Sequence, residues 1–212
     1  MENKYYSQAG QDQFVSHLFK HKSAGSFVDV GCWHPSANNN SYYLETLGWQ
    51  GICIDRDPHD FSQRTAVYFN DDALSIDYKQ LFESCNMPKV IDYLSLDIDI
   101  PHTLTALINI INSDYEFKAM TIEHDWYGID DRLPVRQEMR ELLKGKGYHL
   151  LCGDVWFQNN EYFEDWWIHP EYIDPEELKY LQVNELSYVD IINKIKQHGN
   201  YQQEIIGEHN VK

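Results

Sequence analysis

Short apolar segments alternate regularly with longer amphipathic segments along this chain, and this pattern limits the folds that it can adopt. The apolar segments have strand length and are rich in Val, Ile, Phe and Tyr, whereas the others carry apolar residues at helical spacing. The predicted strands cover residues 26–30, 51–55, 65–70, 90–96, 117–123, 148–154 and 165–168. The predicted helices cover residues 14–19, 39–47, 77–85, 101–112 and 136–144, and most of 174–196. This alternation predicts an α/β fold with a mainly parallel sheet and helices on both faces.

Acidic side chains lie at the ends of the first five predicted strands. These ends carry Asp29 and Gly31, then Asp55, then Asp71 and Asp72, then Asp97 and Asp99, and finally Glu123, His124 and Asp125. In an open parallel sheet, ligands bind beyond the carboxyl ends of the strands, near the point where the strand order reverses. We therefore expect the functional site at these five ends.

The first strand end indicates a cofactor without phosphate groups. Gly31 follows a buried strand, but the full dinucleotide fingerprint G-x-G-x-x-G is absent, and Pro35 has no N–H to offer to a pyrophosphate. Asp55 lies some twenty residues farther on, where a carboxylate can accept hydrogen bonds from a ribose diol; a helix cap or a loop acid is the alternative. The end of the third strand carries Asn70, Asp71, Asp72 and Ala73, where a carboxylate could accept a hydrogen bond from an adenine amino group; a plain turn is the alternative.

Length and charge narrow the function further. A chain of 212 residues predicts one domain, here residues 1–212. The net charge of −17 repels phosphate backbones and anionic lipid surfaces, so neither a nucleic-acid partner nor a membrane partner is expected. The four cysteines are scattered, and we find no signal peptide and no stretch of about 18 apolar residues. These features predict a soluble protein of the cytoplasm.

Seven short motifs, in order, resemble those of a known family. They are S-Q-A-G-Q-D (7–12), F-V-D-V-G (27–31), N-S-Y-Y-L-E (40–45), G-W-Q-G-I-C-I-D (48–55), Y-L-S-L-D-I-D (93–99), T-I-E-H-D (121–125) and E-D-W-W-I-H-P (164–170). Together they resemble the FkbM-like S-adenosylmethionine-dependent methyltransferases. The resemblance implies a Rossmann-like class I methyltransferase core with a seven-stranded sheet over about residues 7–170. The tail over 171–212, which the sequence pattern predicts to be helical, lies outside the resemblance.

The resemblance also implies a binding site for S-adenosyl-L-methionine. It places Asp29 and Gly31 at the methionine end and Asp55 at the ribose, with Asp72 and Ala73 near the adenine. Asn40 and Ser41 would open a helix whose N-terminus faces the methionine carboxylate. The remaining residues assigned to the cofactor are Gln11, which would close the site, Arg56 and Asp97. The glycine-poor stretch 32–38 departs from many methyltransferases.

The fourth and fifth strand ends carry the candidate groups for chemistry. Hard oxygen ligands together with one imidazole suit Mg²⁺ or Mn²⁺, which predicts Asp97, Glu123 and His124 as metal ligands. The predicted catalytic residues are Asp97, Asp99, His124 and Asp125. Alternatives remain for each of them: Asp97 could bind the ammonium of the cofactor, Asp99 could cap a helix, His124 could be the base or a core residue, and Asp125 could be a plain loop acid.

The expected activity is methyl transfer to a hydroxyl group. The resemblance implies that the acceptor is a sugar, a glycan or a glycosylated metabolite. A possible aromatic wall for a sugar ring consists of Trp126, Tyr127, Trp156, Trp166 and Trp167, although core packing is the alternative for Trp166 and Trp167. Two other functions stay open: a metal-dependent glycosyltransferase, because Asp97-Ile98-Asp99 is a D-x-D motif, and a non-catalytic binding subunit with the same fold.

Overall fold

A computed structural model of the chain describes residues 4–159 and 161–209. Its strands are β1 (Ser26–Val30), β2 (Gln50–Asp55), β3 (Val67–Asn70), β4 (Val90–Leu96), β5 (Glu116–Glu123), β6 (His149–Trp156), β7 (Tyr162–Ile168) and β8 (Val183–Asn184). Its α-helices are α1 (Gln11–Leu18), α2 (Tyr42–Thr46), α3 (Tyr78–Ser84), α4 (His102–Ile111), α5 (Leu133–Gly145) and α6 (Tyr188–His209). Two 3₁₀ helices cover Asp130–Arg132 and Pro175–Leu181.

The strands form one mixed sheet in the order β3-β2-β1-β4-β5-β7-β6-β8. The five strands from β3 to β5 are parallel, β7 runs antiparallel to both β5 and β6, and β8 is parallel to β6. The predicted α/β fold is confirmed, but the predicted count of seven strands is wrong because β8 adds an eighth. The short connection between β6 and β7 accounts for their antiparallel pairing, since parallel neighbours need a long crossover.

Two observed elements differ from their predictions, and local chemistry explains the first difference. The helix predicted over 39–47 begins only at Tyr42, because the Asn39 side-chain oxygen accepts hydrogen bonds from the N–H groups of Ser41 (3.1 Å) and Tyr42 (2.8 Å). The tail predicted as helical is a 3₁₀ helix, then β8, then α6. Residues 210–212 of the predicted tail lie outside the described residues.

The core has two halves, one on each face of the sheet. Alternating residues of β4 enter opposite halves: Tyr93 belongs to the half that contains Phe14 of α1 and Trp166, whereas Leu94 belongs to the half that contains Leu107 of α4. The C-terminal helix belongs to the first half, since its residues Ile191, Ile192 and Ile195 are buried there. Among the described residues, no helix is both long and apolar enough to cross a bilayer.

Candidate functional site

A cavity of about 470 Å³ lies beyond the carboxyl ends of the parallel strands. It is lined by Gln8, Gly31, Trp33, Asn38, Ile54, Asp55, Arg56, Asp57, Asp71, Asp72, Ala73, Leu74, Asp97, Ile98, Asp99, His102 and Glu123. The volume is within the range of small-molecule sites, about 300–1,000 Å³. The strand order changes direction between β1 and β4, which is the switch point where this fold binds ligands.

Gly31 closes the floor of the cavity at this switch point. Its φ is +80°, and a Cβ atom at this position would lie 1.8 Å from the backbone oxygen of Asp97. Only glycine tolerates both the left-handed backbone and this approach of β1 to β4. The glycine that follows β1 therefore has a direct steric cause.

Asp55 is held rigidly at the end of β2. Its Oδ2 atom accepts a hydrogen bond from the N–H of Trp33 at 2.7 Å, and its Oδ1 atom accepts one from the N–H of Asp57 at 2.9 Å. The side chain of Asn70 donates to the backbone oxygens of Asp55 (3.0 Å) and Arg56 (2.8 Å). Each carboxylate oxygen keeps a further lone pair, so a preoriented anion faces the cavity.

The end of β3 supplies another part of the lining. Asp72 accepts a hydrogen bond from the N–H of Leu74 at 3.0 Å through its Oδ1 atom, while its carboxylate is exposed. Ala73 is buried beside it and lines the cavity together with Leu74. A small apolar floor next to a carboxylate acceptor can take a flat heterocycle that carries an amino group.

Asp97 and Glu123 meet at the ends of β4 and β5. The register pairs Leu96 with Ile122, which brings the next two side chains together, and their carboxyl groups are in hydrogen-bond contact. Burial raises the pKa of Asp97, opposed by its hydrogen bond with Glu123. Burial and then the charge of Asp97 raise the pKa of Glu123 well above its usual value. The structure therefore confines several acids in a small, partly dry volume.

Glu164 of β7 lies behind this pair and is fully buried. It is the register partner of Glu123, and it accepts hydrogen bonds from the indole N–H of Trp166 and from Gln11 Nε2, the latter at 3.2 Å. Burial raises its pKa to about 8. Gln11, which we predicted to close the cofactor site, thus donates its hydrogen bond to Glu164. Gln8 lines the cavity instead.

Asp29, Asn40 and Ser41, all assigned to the methionine end, do not line the cavity. Ser41 Oγ donates to Asp29 at 2.7 Å and accepts from Arg64 Nη2 at 3.1 Å, whereas Asn40 Nδ2 donates to Ser95 at 3.0 Å. Burial raises the pKa of Asp29 to about 6. In this structure these residues hold the segment between β1 and α2 in place. They therefore influence the shape of the cavity indirectly and do not face a ligand in it.

The predicted metal ligands are not assembled, because His124 faces a different cluster from Asp97 and Glu123. Its Nδ1 atom accepts a hydrogen bond from the N–H of Trp126 at 3.2 Å. Its Nε2 atom lies 3.6 Å from Asp154 and 3.5 Å from Asp165. Both ring nitrogens are therefore directed away from the acids of the cavity, and His124 does not line it.

The cluster that contains His124 could in principle take a metal, since its three ligand atoms lie within 4.8 Å of one another. Two arginines already neutralise its carboxylates. Arg136 is paired with Asp154 at 2.5 Å, and Arg140 is paired with Asp165 at 2.6 Å and with Asp154 at 2.9 Å. A divalent cation would add two uncompensated charges to a buried, balanced group, so the donor set does not fit one.

The other two predicted catalytic acids differ in position. Asp99 is exposed and lines the cavity, and its side chain does not cap α4, which begins after Pro101. Asp125 is buried, with a φ of +47°, and its carboxylate is in hydrogen-bond contact with the hydroxyl of Tyr127. Asp99 thus faces the ligand space directly, whereas Asp125 lies behind the lining.

The predicted aromatic wall is mostly structural. Trp166 and Trp167 are buried, Trp156 donates to the backbone oxygen of Glu185 at 3.1 Å, and Trp126 stacks on Tyr162. Tyr127 is the exposed member, at 39%.

Sequence reasoning missed several lining residues, Trp33, Asp57 and His102 among them. Asp57 could have been predicted, because it follows Asp55 by two residues at the same strand end. Nothing in the local sequence pointed to Trp33 or His102.

No family model matches the chain, and no curated protein matches it. Among solved structures, it is similar to a Lactococcus lactis protein described as a hemolysin (TM-score 0.51, 10% identity, covering 91% of this chain and 99% of that one). It is also similar to a Clostridium thermocellum protein described as an rRNA methylase (TM-score 0.50, 14% identity, 78% and 97%). A further similar structure is a TehB-like SAM-dependent methyltransferase from Corynebacterium glutamicum (TM-score 0.48, 16% identity, 79% and 89%). With the strand order above, the likenesses at 0.50 and above show that the chain has a Rossmann-like fold of the class I methyltransferase type.

Proposed function

We propose that the protein is an S-adenosylmethionine-dependent O-methyltransferase. The observation that carries the proposal is the charge of the cavity at the switch point of this fold. Its lining contains seven carboxyl side chains and, as permanent cation, one arginine; the members are Asp55, Asp57, Asp71, Asp72, Asp97, Asp99, Glu123 and Arg56. S-adenosylmethionine carries a sulfonium and an ammonium against one carboxylate, so its net charge complements this lining.

The same charge disfavours the glycosyltransferase alternative. Asp97 and Asp99 of the D-x-D motif both line the cavity, but among the residues that the structure describes, the lining offers the two phosphates of a nucleotide sugar only one arginine. A diphosphate in this field would be repelled by the surrounding carboxylates. The methylase described from C. thermocellum also favours methyl transfer over glycosyl transfer as the chemistry of this fold.

In the proposed site, the cofactor extends along the ends of β1 to β3. Asp55 accepts from the ribose hydroxyls, Asp72 and Ala73 hold the adenine, and Gly31 permits close approach of the backbone. Asp97 and Glu123 lie at the end where the methyl group would be transferred, together with Asp99. This arrangement leaves the acceptor to enter beside β4 and β5.

The proposed reaction is an in-line displacement at the methyl carbon. A lone pair of the acceptor oxygen forms the new C–O bond, the C–S bond breaks, and its electrons stay on sulfur to give neutral S-adenosylhomocysteine. The hydroxyl proton passes to a carboxylate of the cavity. Positioning of the two reactants can lower the barrier of such a transfer by several kcal/mol. No step is assigned to a metal, because the predicted ligand set is not assembled.

We propose a sugar hydroxyl as the acceptor, on the strength of the motif resemblance. An uncharged acceptor is also the class that the acidic lining tolerates, whereas an acceptor bearing phosphate would be repelled. The exposed ring of Tyr127, close to Glu123 and Asp97, offers an apolar face of the kind that sugar rings contact.

Calorimetric titration tests the cofactor. The full chain should bind S-adenosylhomocysteine and show no binding of uridine diphosphate with or without Mg²⁺. Asp55→Ala should weaken S-adenosylhomocysteine binding by about 1.5–3 kcal/mol, the usual worth of hydrogen bonds to a charged group. Glu138→Gln is the matched control, because Glu138 is an exposed acid on α5 outside the cavity lining. Tighter binding of the diphosphate than of S-adenosylhomocysteine would refute the proposal.

A transfer assay tests the acceptor. The protein is incubated with S-adenosylmethionine and a panel of neutral glycans, phosphorylated sugars and amines, and the products are analysed by mass spectrometry. We expect the mass of one added CH₂ on a neutral glycan. Exclusive methylation of an amine would leave the cofactor assignment in place and overturn the hydroxyl acceptor. Cofactor binding without turnover on any class of acceptor would favour the binding-subunit alternative.

A further inference from the structure

Trp33 is a large apolar side chain exposed on the wall of an acidic cavity. It is 51% exposed, whereas Trp49, Trp166 and Trp167 are buried almost completely. It lines the cavity between Gly31 and Asp55. Its indole ring lies near the ring of His34, with 5.8 Å between the two centroids, and has no part in the proposed methyl transfer.

The backbone of Trp33 is held in a conformation that bulky residues rarely adopt. Its φ is +43°, in the left-handed region, where a residue with a large side chain is an outlier. The hydrogen bond from its N–H to Asp55 Oδ2, at 2.7 Å, fixes this geometry. Strained residues of this kind persist where the surrounding structure imposes them, and they cluster at ligand-binding sites.

The segment that carries Trp33 is also braced on its far side. His34 Nδ1 accepts hydrogen bonds from the N–H groups of Ser36 (3.1 Å) and Ala37 (3.0 Å). Arg64 Nη1 donates to the backbone oxygen of Pro35 at 2.6 Å, and Arg64 itself is buried. The indole is therefore exposed on a segment whose backbone is held in place by several hydrogen bonds.

We propose that the Trp33 indole packs against the adenosine half of the bound cofactor and selects for it. The inference rests on the proposed function, in which Asp55 binds the ribose. One carboxylate then does two things: its Oδ2 atom positions Trp33, and its remaining lone pairs accept from the ribose hydroxyls. The adenosine half is uncharged, so it gains from an apolar face, whereas the charged methionine half is matched by the acids.

Binding measurements with two probes test this placement. S-adenosylhomocysteine contains both halves of the cofactor, and methylthioadenosine lacks the amino-acid half. Trp33→Ala should weaken the binding of both probes by the same factor, about fivefold or more, as is usual when an aromatic stacking partner is removed. Trp33→Phe, which keeps an aromatic face, should lose less. Tyr172→Ala is the matched control, because Tyr172 is also an exposed aromatic residue but does not line the cavity.

Fluorescence supplies a readout that does not depend on affinity alone. Of the six tryptophans of the chain, Trp33 lines the cavity. Saturating S-adenosylhomocysteine should change the indole emission of the wild-type protein, and the change should be absent from Trp33→Phe at saturation. Thermal melting of each variant without ligand confirms that it is folded.

The outcomes separate this inference from the function on which it rests. If the wild-type protein binds neither probe, the proposed cofactor is wrong and the placement of Trp33 falls with it. If the wild type binds both probes and folded Trp33→Ala binds them equally well, the cofactor stands and the role of Trp33 is wrong. A loss confined to S-adenosylhomocysteine would place the indole at the amino-acid half and overturn the proposed selection for adenosine.

Discussion

At the scale of single residues, the cavity depends on backbone positions as much as on charged groups. Gly31 allows β1 to pass within reach of the Asp97 backbone, and Asp55 is oriented by two N–H donors rather than by another side chain. Carboxylates fixed in this way need no reorganisation when a ligand arrives, which is the advantage of a preorganised site.

Gly31→Ala should therefore damage the site more than a typical glycine substitution. The added methyl group would collide with the Asp97 backbone, which a flexible neighbour cannot relieve, and φ is positive there. We expect a loss of more than about 1 kcal/mol in the free energy of unfolding, together with weakened S-adenosylhomocysteine binding. Urea unfolding and calorimetry measure the two effects. Gly145→Ala is the control, since a Cβ at Gly145 meets nothing within 4 Å. Equal behaviour of the two variants would contradict the steric account of Gly31.

At the scale of elements, the C-terminal helix is part of the core although it lies outside the sequence resemblance. Ile191 and Ile195 of α6 share a buried cluster with Phe14 and Val15 of α1 and with residues of the sheet. The helix thus holds α1, and α1 carries Gln11, which bonds to Glu164 behind the cavity. Packing of the tail and geometry of the site are connected through this chain of contacts.

Truncation of these isoleucines should destabilise the whole fold. Ile191→Ala and Ile195→Ala should each lower the free energy of unfolding by about 2–4 kcal/mol, because each leaves a cavity in a packed core. Val189→Ala, at an exposed position of the same helix, should change it by less than about 0.5 kcal/mol. Chemical denaturation measures all three. An Ile191→Ala variant as stable as Val189→Ala would show that α6 does not pack on α1 in solution.

At the scale of the whole molecule, buried acids make the fold sensitive to pH. Burial raises the pKa of Glu164 to about 8 and that of Asp29 to about 6, and the net charge is −17. Between the ordinary carboxyl pKa and these raised values, the folded state binds more protons than the unfolded state. The contribution of these acids to stability therefore falls as the pH rises through that interval. It is opposed below about pH 6.5 by partly buried His17, because burial lowers the pKa of His17 to about 4.

The free energy of unfolding should accordingly decrease from about pH 5 to about pH 8. One such group contributes at most about 1.4 kcal/mol per pH unit. Glu164→Gln should flatten the decline, because its amide cannot titrate, whereas the exposed control Glu138→Gln should leave the slope unchanged. Denaturation midpoints across this range test the sign. A wild-type stability that rises with pH would contradict the assignment of Glu164 as a proton-retaining acid.

Local sequence was sufficient for most of the parallel half of the sheet. The predicted strands at 26–30 and 90–96 have the bounds of β1 and β4, because a buried parallel strand is a continuous apolar run that needs no partner to be recognised. The acids also meet at the carboxyl ends of the strands, as predicted: Asp55, Asp72, Asp97 and Asp99 all line the cavity. The end of a strand can be recognised from the local sequence. Because parallel strands run in the same direction, their carboxyl ends then lie on the same side of the sheet.

The local sequence did not predict which side chains face the cavity. His124 follows Glu123 directly, yet its Nε2 atom lies near Asp154 of β6 and Asp165 of β7, whereas the carboxyl of Glu123 meets Asp97. Similarly, Ser41 and Asp29 satisfy each other in the interior, and Trp33 is placed at the cavity by a bond to Asp55, 22 residues away. The α/β frame and the acids at the carboxyl ends of its strands follow from the local sequence. Which of these side chains face the ligand depends on tertiary packing, because long-range contacts set their orientation.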